Sequence, residues 1–497
     1  MTFVSWQFIV FFILVTFHYY LIPFKWRWLL LLIAGCVFYI SFIPVYILLL
    51  FLLIIIDYIA GLYIQKTNLE SKKKLYLIIS ILSTVSVLFV FKYFNFFVGN
   101  FENVLNFFHW NYPIKLLKFV LPVGLSFHTF QSLAYVIEVY RGRQKAETHF
   151  GIYALYVMFY PQLMAGPIER SYNMLHQFHE EHKFEYESVV RGLRLMLWGA
   201  FQKVVIADRA AIVVNIVYEK PDNYSGPILI LATTLFAFQI FCDFAGYSNI
   251  AIGAARVMGF DLMKNFDRPY QSKSIQEFWT RWHISLSTWF RDYVYIPLGG
   301  NRVSKLRYGI NIMIAFLVSG LWHGAGWTFV IWGGLHGFYL LIFNWADSFN
   351  KRFLKMGVKS SNWFDNFIQT FITFSLVSFA WIFFRARDLD QALYIVTHLF
   401  SNLNDSLRLF SYLSPSFIKV LFVEREKILG LTLNNWIVMM LSILVMYYIH
   451  KLQNTKSIHQ FMEEKSLIFR WVIYYVLVLV IFYYAAQGQE HFIYFQF

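Results

Sequence analysis

The chain has 497 residues, of which 59% are hydrophobic, 21% are aromatic and only 14% are charged. A soluble globular protein carries about 25% charged residues, so this composition excludes an ordinary soluble fold, and the high apolar content also excludes disorder. Lys and Arg outnumber Asp and Glu by 42 to 28, a net charge of +14. The basic residues lie in short loops between apolar runs, a distribution that orients membrane proteins. We therefore expect the lipid bilayer, and not nucleic acid, as the partner of this chain.

Apolar runs recur from residue 3 to residue 486 and predict an all-α integral membrane protein, one polytopic domain over 1–497. At ~20 residues per crossing we expect roughly ten to twelve membrane segments, re-entrant helices included. Residues 28–62 are too long for one crossing, and Pro44 is expected to divide them into two helices. The basic loops before and after these helices are assigned to the cytoplasm. This assignment places the N- and C-termini outside.

Two apolar stretches carry residues that predict broken helices. Prolines and a glycine interrupt residues 151–168, and Asp243 and Gly246 are expected to interrupt residues 227–258. A carboxylate within an apolar stretch is costly unless it has a partner or faces water. We therefore expect Asp243 either to pair within the helix bundle or to line a path for substrate.

His323 is the first candidate for chemistry. It lies in the turn LWHGAGW, residues 321–327, between the apolar pieces 308–321 and 327–346. The 14 residues of the first piece would rise only about 21 Å as a helix, less than a ~30 Å hydrocarbon core. We therefore expect the turn at bilayer depth, where an ionisable side chain indicates function. The alternative is a histidine that only hydrogen-bonds a neighbouring helix. His336, 13 residues after His323 in an apolar segment, either packs near the site or is a satisfied core histidine.

The second candidate is the segment FWTRWHISLSTWFRDYVYIPLGGNR, residues 278–302. Arg281, Ser285 and either Thr288 or Asp292 follow one another at i, i+4 and i+7 or i+11, a spacing that predicts one polar helix face among aromatic side chains. An amphipathic helix at the membrane interface is the purely structural alternative.

Seven sequence blocks, in order along the chain, also carry a family resemblance. They are LPVGLSFHTFQSLAYVIEVYR at 121–141, FYPQLMAGPIER at 159–170, FQKVVIADR at 201–209, CDFAGYSNIAIGAARVMGF at 242–260, the segment at 278–302, SGLWHGAGWTFVIWGGLHG at 319–337, and WIFFRA at 381–386. The chain resembles bacterial membrane-bound O-acyltransferases (MBOAT), and within that family the membrane subunit of alginate O-acetylation systems. The resemblance implies an MBOAT core over about 118–386 and a ring of tilted helices around a catalytic funnel.

The resemblance also implies an activity and a set of site residues. His323 corresponds to the essential catalytic histidine, and His283 to a second, supporting histidine or asparagine position. The implied enzyme is an O-acyltransferase, specifically an O-acetyltransferase, that uses a cytosolic thioester such as acetyl-CoA and serves an exported glycan, alginate-like, peptidoglycan or other. We expect no bound cofactor, no metal site, and an exported SGNH-type acetyltransferase as partner. The candidate substrate-binding residues are Arg281, Trp282, Ser287, Arg291, Trp322 and Asp243.

The last six residues, FIYFQF at 492–497, contain a single hydroxyl group, that of Tyr494. An aromatic ending of this kind is typical of an anchor at the membrane interface. The ending is also similar to tails that accept acyl groups in related cell-envelope systems, which implies that Tyr494 receives the acyl group at the His323 site.

Two alternatives stay open for the chain as a whole. One is a D-alanyl transferase of the teichoic-acid type. The other, from a different class, is a transporter or flippase of a lipid-linked intermediate, because such proteins also use broken helices and intramembrane polar residues.

Overall fold

The structure is a computed structural model, and it describes residues 1–42, 44–110, 115–119, 122, 124–164, 166–349, 362–402, 429–485, 488 and 492–493. Every regular element among these residues is helical. The first ten helices are α1 Trp6–Leu21, α2 Phe24–Ile40, α3 Tyr46–Lys66, α4 Glu70–Leu88, α5 Phe94–Phe107, α6 Leu125–Tyr140, α7 Phe150–Met158, α8 Ser171–Met174, α9 Tyr186–Phe201 and α10 Asp208–Glu219. The next ten are α11 Gly226–Val257, α12 Ile275–Arg281, α13 Ile284–Phe290, α14 Lys305–His323, α15 Trp327–Phe349, α16 Trp363–Arg385, α17 Leu389–His398, α18 Leu433–Leu452, α19 Ile458–Glu463 and α20 Leu467–Ala485.

Six helical stretches of the described residues are long and apolar enough to cross a membrane. They are Tyr46–Lys66, Glu70–Phe107, Gly226–Val257, Trp363–Arg385, Leu433–Leu452 and Leu467–Ala485. The fold is therefore that of an all-helical integral membrane protein, as the sequence predicts. The division at Pro44 is also confirmed, because α2 ends at Ile40 and α3 begins at Tyr46.

The chain divides into two compact units. Unit 1 comprises residues 1–196, 248–265 and 285–294, and unit 2 comprises residues 197–247, 266–284 and 295–497. The single domain over 1–497 and the family core at about 118–386 stay predictions.

The centre of unit 1 is the short helix α7, in which residues 151–158 are all buried. It packs against α2 and α3. No helix forms in residues 159–164 and 166–170, so the break predicted within 151–168 is present. Pro161 has no N–H group and cannot continue the hydrogen-bond ladder of a helix.

The interruption predicted in residues 227–258 is wrong, because α11 runs without a break from Gly226 to Val257. Both residues that predicted it have another role in unit 2. The Asp243 carboxylate binds the ammonium group of Lys203, and a Cβ on Gly246 would collide with the carbonyl oxygen of Gly199. Asp243 therefore does not need a broken helix, and Gly246 allows a close helix approach.

The single polar helix face predicted for residues 278–302 is also wrong. Helix α12 ends at Arg281 and α13 begins at Ile284, with His283 between them at φ +41°. A left-handed residue cannot continue a right-handed helix, so the face is not shared. The polar groups have separate partners: Arg281 pairs with Glu277 at 2.6 Å, and the Ser285 hydroxyl donates to Asn265 Oδ1 at 2.9 Å.

The helix that precedes the 321–327 turn is longer than the run of apolar residues 308–321 indicates. Ser304 caps the N-terminus of α14, and the helix has 19 residues, Lys305–His323. At ~1.5 Å per residue it rises about 28 Å, close to the thickness of the hydrocarbon core. The 14-residue length on which the depth estimate was based is therefore wrong, and the position of His323 at bilayer depth stays a prediction.

Candidate active site

Close contact between α14 and α15 positions His323. A Cβ on Gly320 of α14 would collide with the carbonyl oxygen of Phe329, and a Cβ on Gly333 of α15 would collide with that of Phe316. Membrane helices use such small residues to bring their backbones together. Helix α14 ends within one turn of this crossing, at His323. The crossing therefore fixes the His323 side chain against α15.

Aromatic rings enclose the His323 imidazole, which is 3% exposed. The ring centroids of Trp322 and Trp332 both lie 4.9 Å from that of His323, in planes inclined by 80° and 85°. The Phe384 ring lies 5.3 Å away. An edge-to-face arrangement of this kind is favoured between aromatic rings. The imidazole therefore sits in an apolar enclosure from which water is largely displaced.

His283 belongs to the same part of unit 2. Its left-handed backbone turns the side chain into the interior, where it is fully buried. Its ring lies 4.6 Å from Phe244 and 6.2 Å from Trp322, measured between centroids. Trp322 therefore contacts both candidate catalytic histidines, which are 40 residues apart in the sequence.

A layer of tryptophans continues from His323 to a third histidine. Trp332 stacks on Trp381 at 5.6 Å, and Trp282 lies 5.1 Å from Trp381. The His336 ring is 5.0 Å from Trp332 and accepts a hydrogen bond at Nδ1 from Trp279 Nε1, 3.3 Å away. His336 is thus separated from His323 by one indole ring. It lies near the candidate site, the first of the two positions that the sequence leaves open.

The other predicted substrate-binding residues have varied surroundings. Trp282 is buried in the tryptophan layer, and Arg281 is partly exposed beside Glu277. In unit 1, Ser287 is half-buried on α13 and Arg291 is exposed, with its Nε 2.8 Å from Asp292 Oδ1. Their roles in substrate binding stay predictions.

Two arginines pack on Tyr293 in unit 1, and each lies near a carboxylate. The guanidinium carbons of Arg141 and Arg170 lie 5.2 and 5.3 Å from the centre of the Tyr293 ring. Arg141 also pairs with Glu138 at 3.1 Å, and Arg170 lies 4.0 Å from Asp292. Guanidinium groups held over an aromatic face are well placed to bind anions, since Arg presents several donors in a rigid fork.

Asp243 lies in a buried ionic cluster of unit 2. Lys203 Nζ is 2.6 Å from Asp243 Oδ1 and 2.7 Å from Asp208 Oδ1. The second carboxylate oxygen of Asp243 accepts a hydrogen bond from the backbone N–H of Ile493 at 2.7 Å. Lys203 and Asp208 were not among the predicted site residues. The three charged side chains of the otherwise mostly apolar block 201–209 were the available signal, because intramembrane charges by default mark function.

Tyr494, the predicted acyl acceptor, lies outside the described residues. Its neighbours Phe492 and Ile493 are described, and both are buried in unit 2.

Comparison with known proteins identifies the family. A family model for MBOAT, the membrane-bound O-acyltransferase family, matches residues 147–385. The peptidoglycan O-acetyltransferase of Helicobacter pylori is 35% identical over 392 residues, which cover 74% of this chain and 72% of that protein. The protein named "Probable alginate O-acetylase AlgI" of Pseudomonas aeruginosa is 37% identical over 385 residues, 77% of this chain and 71% of that protein.

A second group of relatives is more distant. The teichoic acid D-alanyltransferase of Streptococcus thermophilus is 31% identical over 293 residues, which cover 54% of this chain and 69% of that protein. All of these relatives carry the names of acyl-transferring enzymes, which favours acyl transfer over the transporter alternative. The chain is a multi-pass membrane protein with acyltransferase activity, and it belongs to the membrane-bound O-acyltransferase family.

Proposed function

We propose that this O-acyltransferase moves an acetyl group from a cytosolic thioester toward a cell-envelope polysaccharide, with His323 as catalytic base. The observation that carries the proposal is the contact of both His323 and His283 with Trp322 inside a buried aromatic enclosure. The Trp322 indole links the two histidines, and in this proposal the acyl group binds beside it.

The proposed step needs one proton acceptor and no metal. A neutral imidazole has an ordinary pKa near 6.5 and takes the proton from the attacking hydroxyl as its oxygen bonds to the thioester carbonyl carbon. When the tetrahedral intermediate collapses, the carbon–sulfur bond breaks, and the imidazolium of His323 returns the proton to the departing thiolate. In this proposal His283 orients the donor or stabilises the oxyanion.

The enclosure serves the same step by excluding water. Trp322 and Trp332 cover the imidazole with their ring edges. A thioester in a dry pocket is protected from hydrolysis, and electrostatic interactions there are stronger than in water.

The donor in this proposal is acetyl-CoA or another anionic thioester that approaches from the cytoplasm. The basic stretch 261–307 and the guanidinium groups of Arg141 and Arg170 around Tyr293 support an anion-binding role on that side. We place the protein in the bacterial inner membrane with both termini outside. A site at bilayer depth then allows the acetyl group to cross while the carrier stays in the cytosol.

The acceptor in this proposal is an exported polysaccharide, for which the peptidoglycan and alginate acetylases among the relatives are the support. Tyr494 acts as relay: its phenol oxygen attacks the thioester, carries the acetyl group as an aryl ester, and delivers it to an exported SGNH-type acetyltransferase. The O-acetylase relatives match about three quarters of this chain and the D-alanyltransferases about half. An acetyl group is therefore preferred to D-alanine.

Mass spectrometry of cell-envelope polysaccharides tests the proposal. Cells with the wild-type protein are expected to carry O-acetyl groups that are lost with His323→Ala and kept with His176→Ala, a matched change at an exposed histidine. Tyr494→Phe is expected to abolish the same modification. Full acetylation with Tyr494→Phe would contradict the relay, and full acetylation with His323→Ala would contradict the proposed catalytic base.

A further inference from the structure

Lys203, Asp208 and Asp243 form a buried ionic cluster for which the proposed chemistry has no use. Each of the three residues is at most 2% exposed. Burying an ion costs several kcal/mol even when it is paired, and the cost is larger in a membrane. One ammonium group stands against two carboxylates. The two carboxyl groups have more acceptor oxygens than one ammonium group can satisfy, so the cluster favours a further hydrogen-bond donor.

That donor comes from the end of the chain. The Ile493 N–H donates to Asp243 Oδ2 at 2.7 Å. Close by, Arg209 Nη2 donates to the carbonyl oxygen of Gly488 at 2.7 Å, and the Arg209 guanidinium lies 5.6 Å from the Tyr484 ring. Both hydrogen bonds are made to backbone atoms, so they fix the path of the chain and not the identity of its side chains.

Phe492 supplies the apolar part of the same contact. Its side chain is fully buried, 4.5 Å from the Tyr247 ring and 5.7 Å from the Phe244 ring. The Tyr247 ring also lies 5.7 Å from Lys203 Nζ. Phe492 and the ionic cluster therefore share one wall, formed by α11.

The preceding helix does not explain this burial. Within α20, Tyr484 is buried, whereas most of the other side chains of this helix are partly or fully exposed. After a helix with so few interior contacts, Phe492 and Ile493 return to the interior. The packing of α20 is therefore insufficient to hold Phe492 and Ile493 in the interior. The charge-assisted hydrogen bond from Ile493 to Asp243 is strong enough to contribute to their burial.

The docked residues lie beside the candidate active site. Phe492 contacts Phe244, and the Phe244 ring meets that of His283 at 4.6 Å and 84°. One aromatic ring therefore separates Phe492 from His283. Residue 494 follows the docked pair directly in the sequence.

We infer that Asp243, paired with Lys203 next to Asp208, is a docking site for the backbone at Phe492 and Ile493. Asp243 is thus a positioning residue that fixes the register of the chain end relative to His283. The docking stands on the contacts above, whereas its consequence for acyl transfer to Tyr494 rests on the proposed function.

Hydrogen exchange of the full-length protein in detergent tests the docking. Proline has no N–H, so Ile493→Pro removes the hydrogen bond while Ile493→Val keeps it. Asp243→Asn weakens the acceptor, and Asp261→Asn is the matched change at an exposed aspartate, 78% accessible. Loss of a hydrogen bond to a charged group costs enough free energy to raise the exchange rate about tenfold. We expect this increase in the peptide after α20 for both Ile493→Pro and Asp243→Asn. Wild-type exchange rates in both of these variants would overturn the docking.

Mass spectrometry of Tyr494 after incubation with acetyl-CoA tests the consequence. Acetylation is expected to fall about tenfold or more with Ile493→Pro, and Ile493→Val is expected to rescue it. Faster exchange with unchanged acetylation would overturn the positioning role and leave the docking in place. An unmodified Tyr494 in the wild-type protein would contradict the proposed relay, while the exchange measurement would still decide the docking. Because Ile493→Pro changes only the chain end, the test does not depend on whether Asp243→Asn folds.

Discussion

The imidazole of His323 meets the indole of Trp332 edge to face, with ring centroids 4.9 Å apart and ring planes at 85°. Trp332→Phe would leave space beside the imidazole, so water would enter and compete for the thioester. We expect the ratio of thioester hydrolysis to acetyl transfer to rise severalfold, measured as free thiol against acetylated product. Trp471→Phe, at an indole that is 51% exposed, is the control. An unchanged ratio in Trp332→Phe would contradict the water-excluding role.

The crossing of α14 and α15 predicts a specific sensitivity to a single methyl group. Gly320→Ala places a Cβ against the carbonyl oxygen of Phe329, whereas Gly334→Ala meets only Leu317 Cδ2 at 3.6 Å, an ordinary contact. Overpacking costs about 1–3 kcal/mol. Thermal unfolding in detergent should show a lower melting temperature for Gly320→Ala and a near wild-type one for Gly334→Ala. Equal melting temperatures would show that the crossing tolerates a side chain.

Different roles for the two histidines predict different responses to asparagine. Asn tolerates left-handed backbone such as that of His283, and its amide N–H can replace an imidazole N–H in a hydrogen bond. It cannot accept the proton in the proposed step at His323. His283→Asn should therefore retain part of the acetyl transfer, and His323→Asn should lose it. Comparable loss in two folded variants would contradict this division of roles.

The ionic cluster predicts a strong effect from loss of its cation. Lys203→Met leaves the Asp208 and Asp243 carboxylates buried without their counter-ion, a change that costs about 3–5 kcal/mol. Arg191→Gln breaks the surface pair with Glu187, whose side chains are 46% and 62% exposed, and such pairs contribute at most about 1 kcal/mol. Thermal unfolding of the two variants should separate them clearly. A Lys203→Met protein as stable as Arg191→Gln would contradict the account of the cluster.

Local sequence signals predict a helix boundary well where that boundary depends on a single residue. Pro44 separates two helices because proline cannot continue a hydrogen-bond ladder, and this holds whatever the neighbours are. The same kind of inference failed for Asp243, where α11 continues unbroken. The partner of Asp243 is Lys203, 40 residues away, and no local pattern reveals such a pair.

The candidate site shows the same limit. His323 was identified from its glycine-rich, tryptophan-flanked turn, and His283 from the family resemblance. The pattern of polar spacing predicted a continuous helix through His283, because helical periodicity carries no sign of one left-handed residue. Trp332 lies on α15, and Trp381 and Phe384 lie on α16, 58 and 61 residues after His323. In the sequence they resemble ordinary core residues, and only the fold shows that they surround His323.

Purified protein in proteoliposomes tests most directly whether His323 is the catalytic base of acyl transfer. Radiolabelled acetyl-CoA is supplied on one side, and labelled protein and glycan acceptor are measured for wild type, His323→Ala and His176→Ala. The account predicts label transfer by the wild type and His176→Ala, and none by folded His323→Ala. Undiminished transfer by His323→Ala would contradict it.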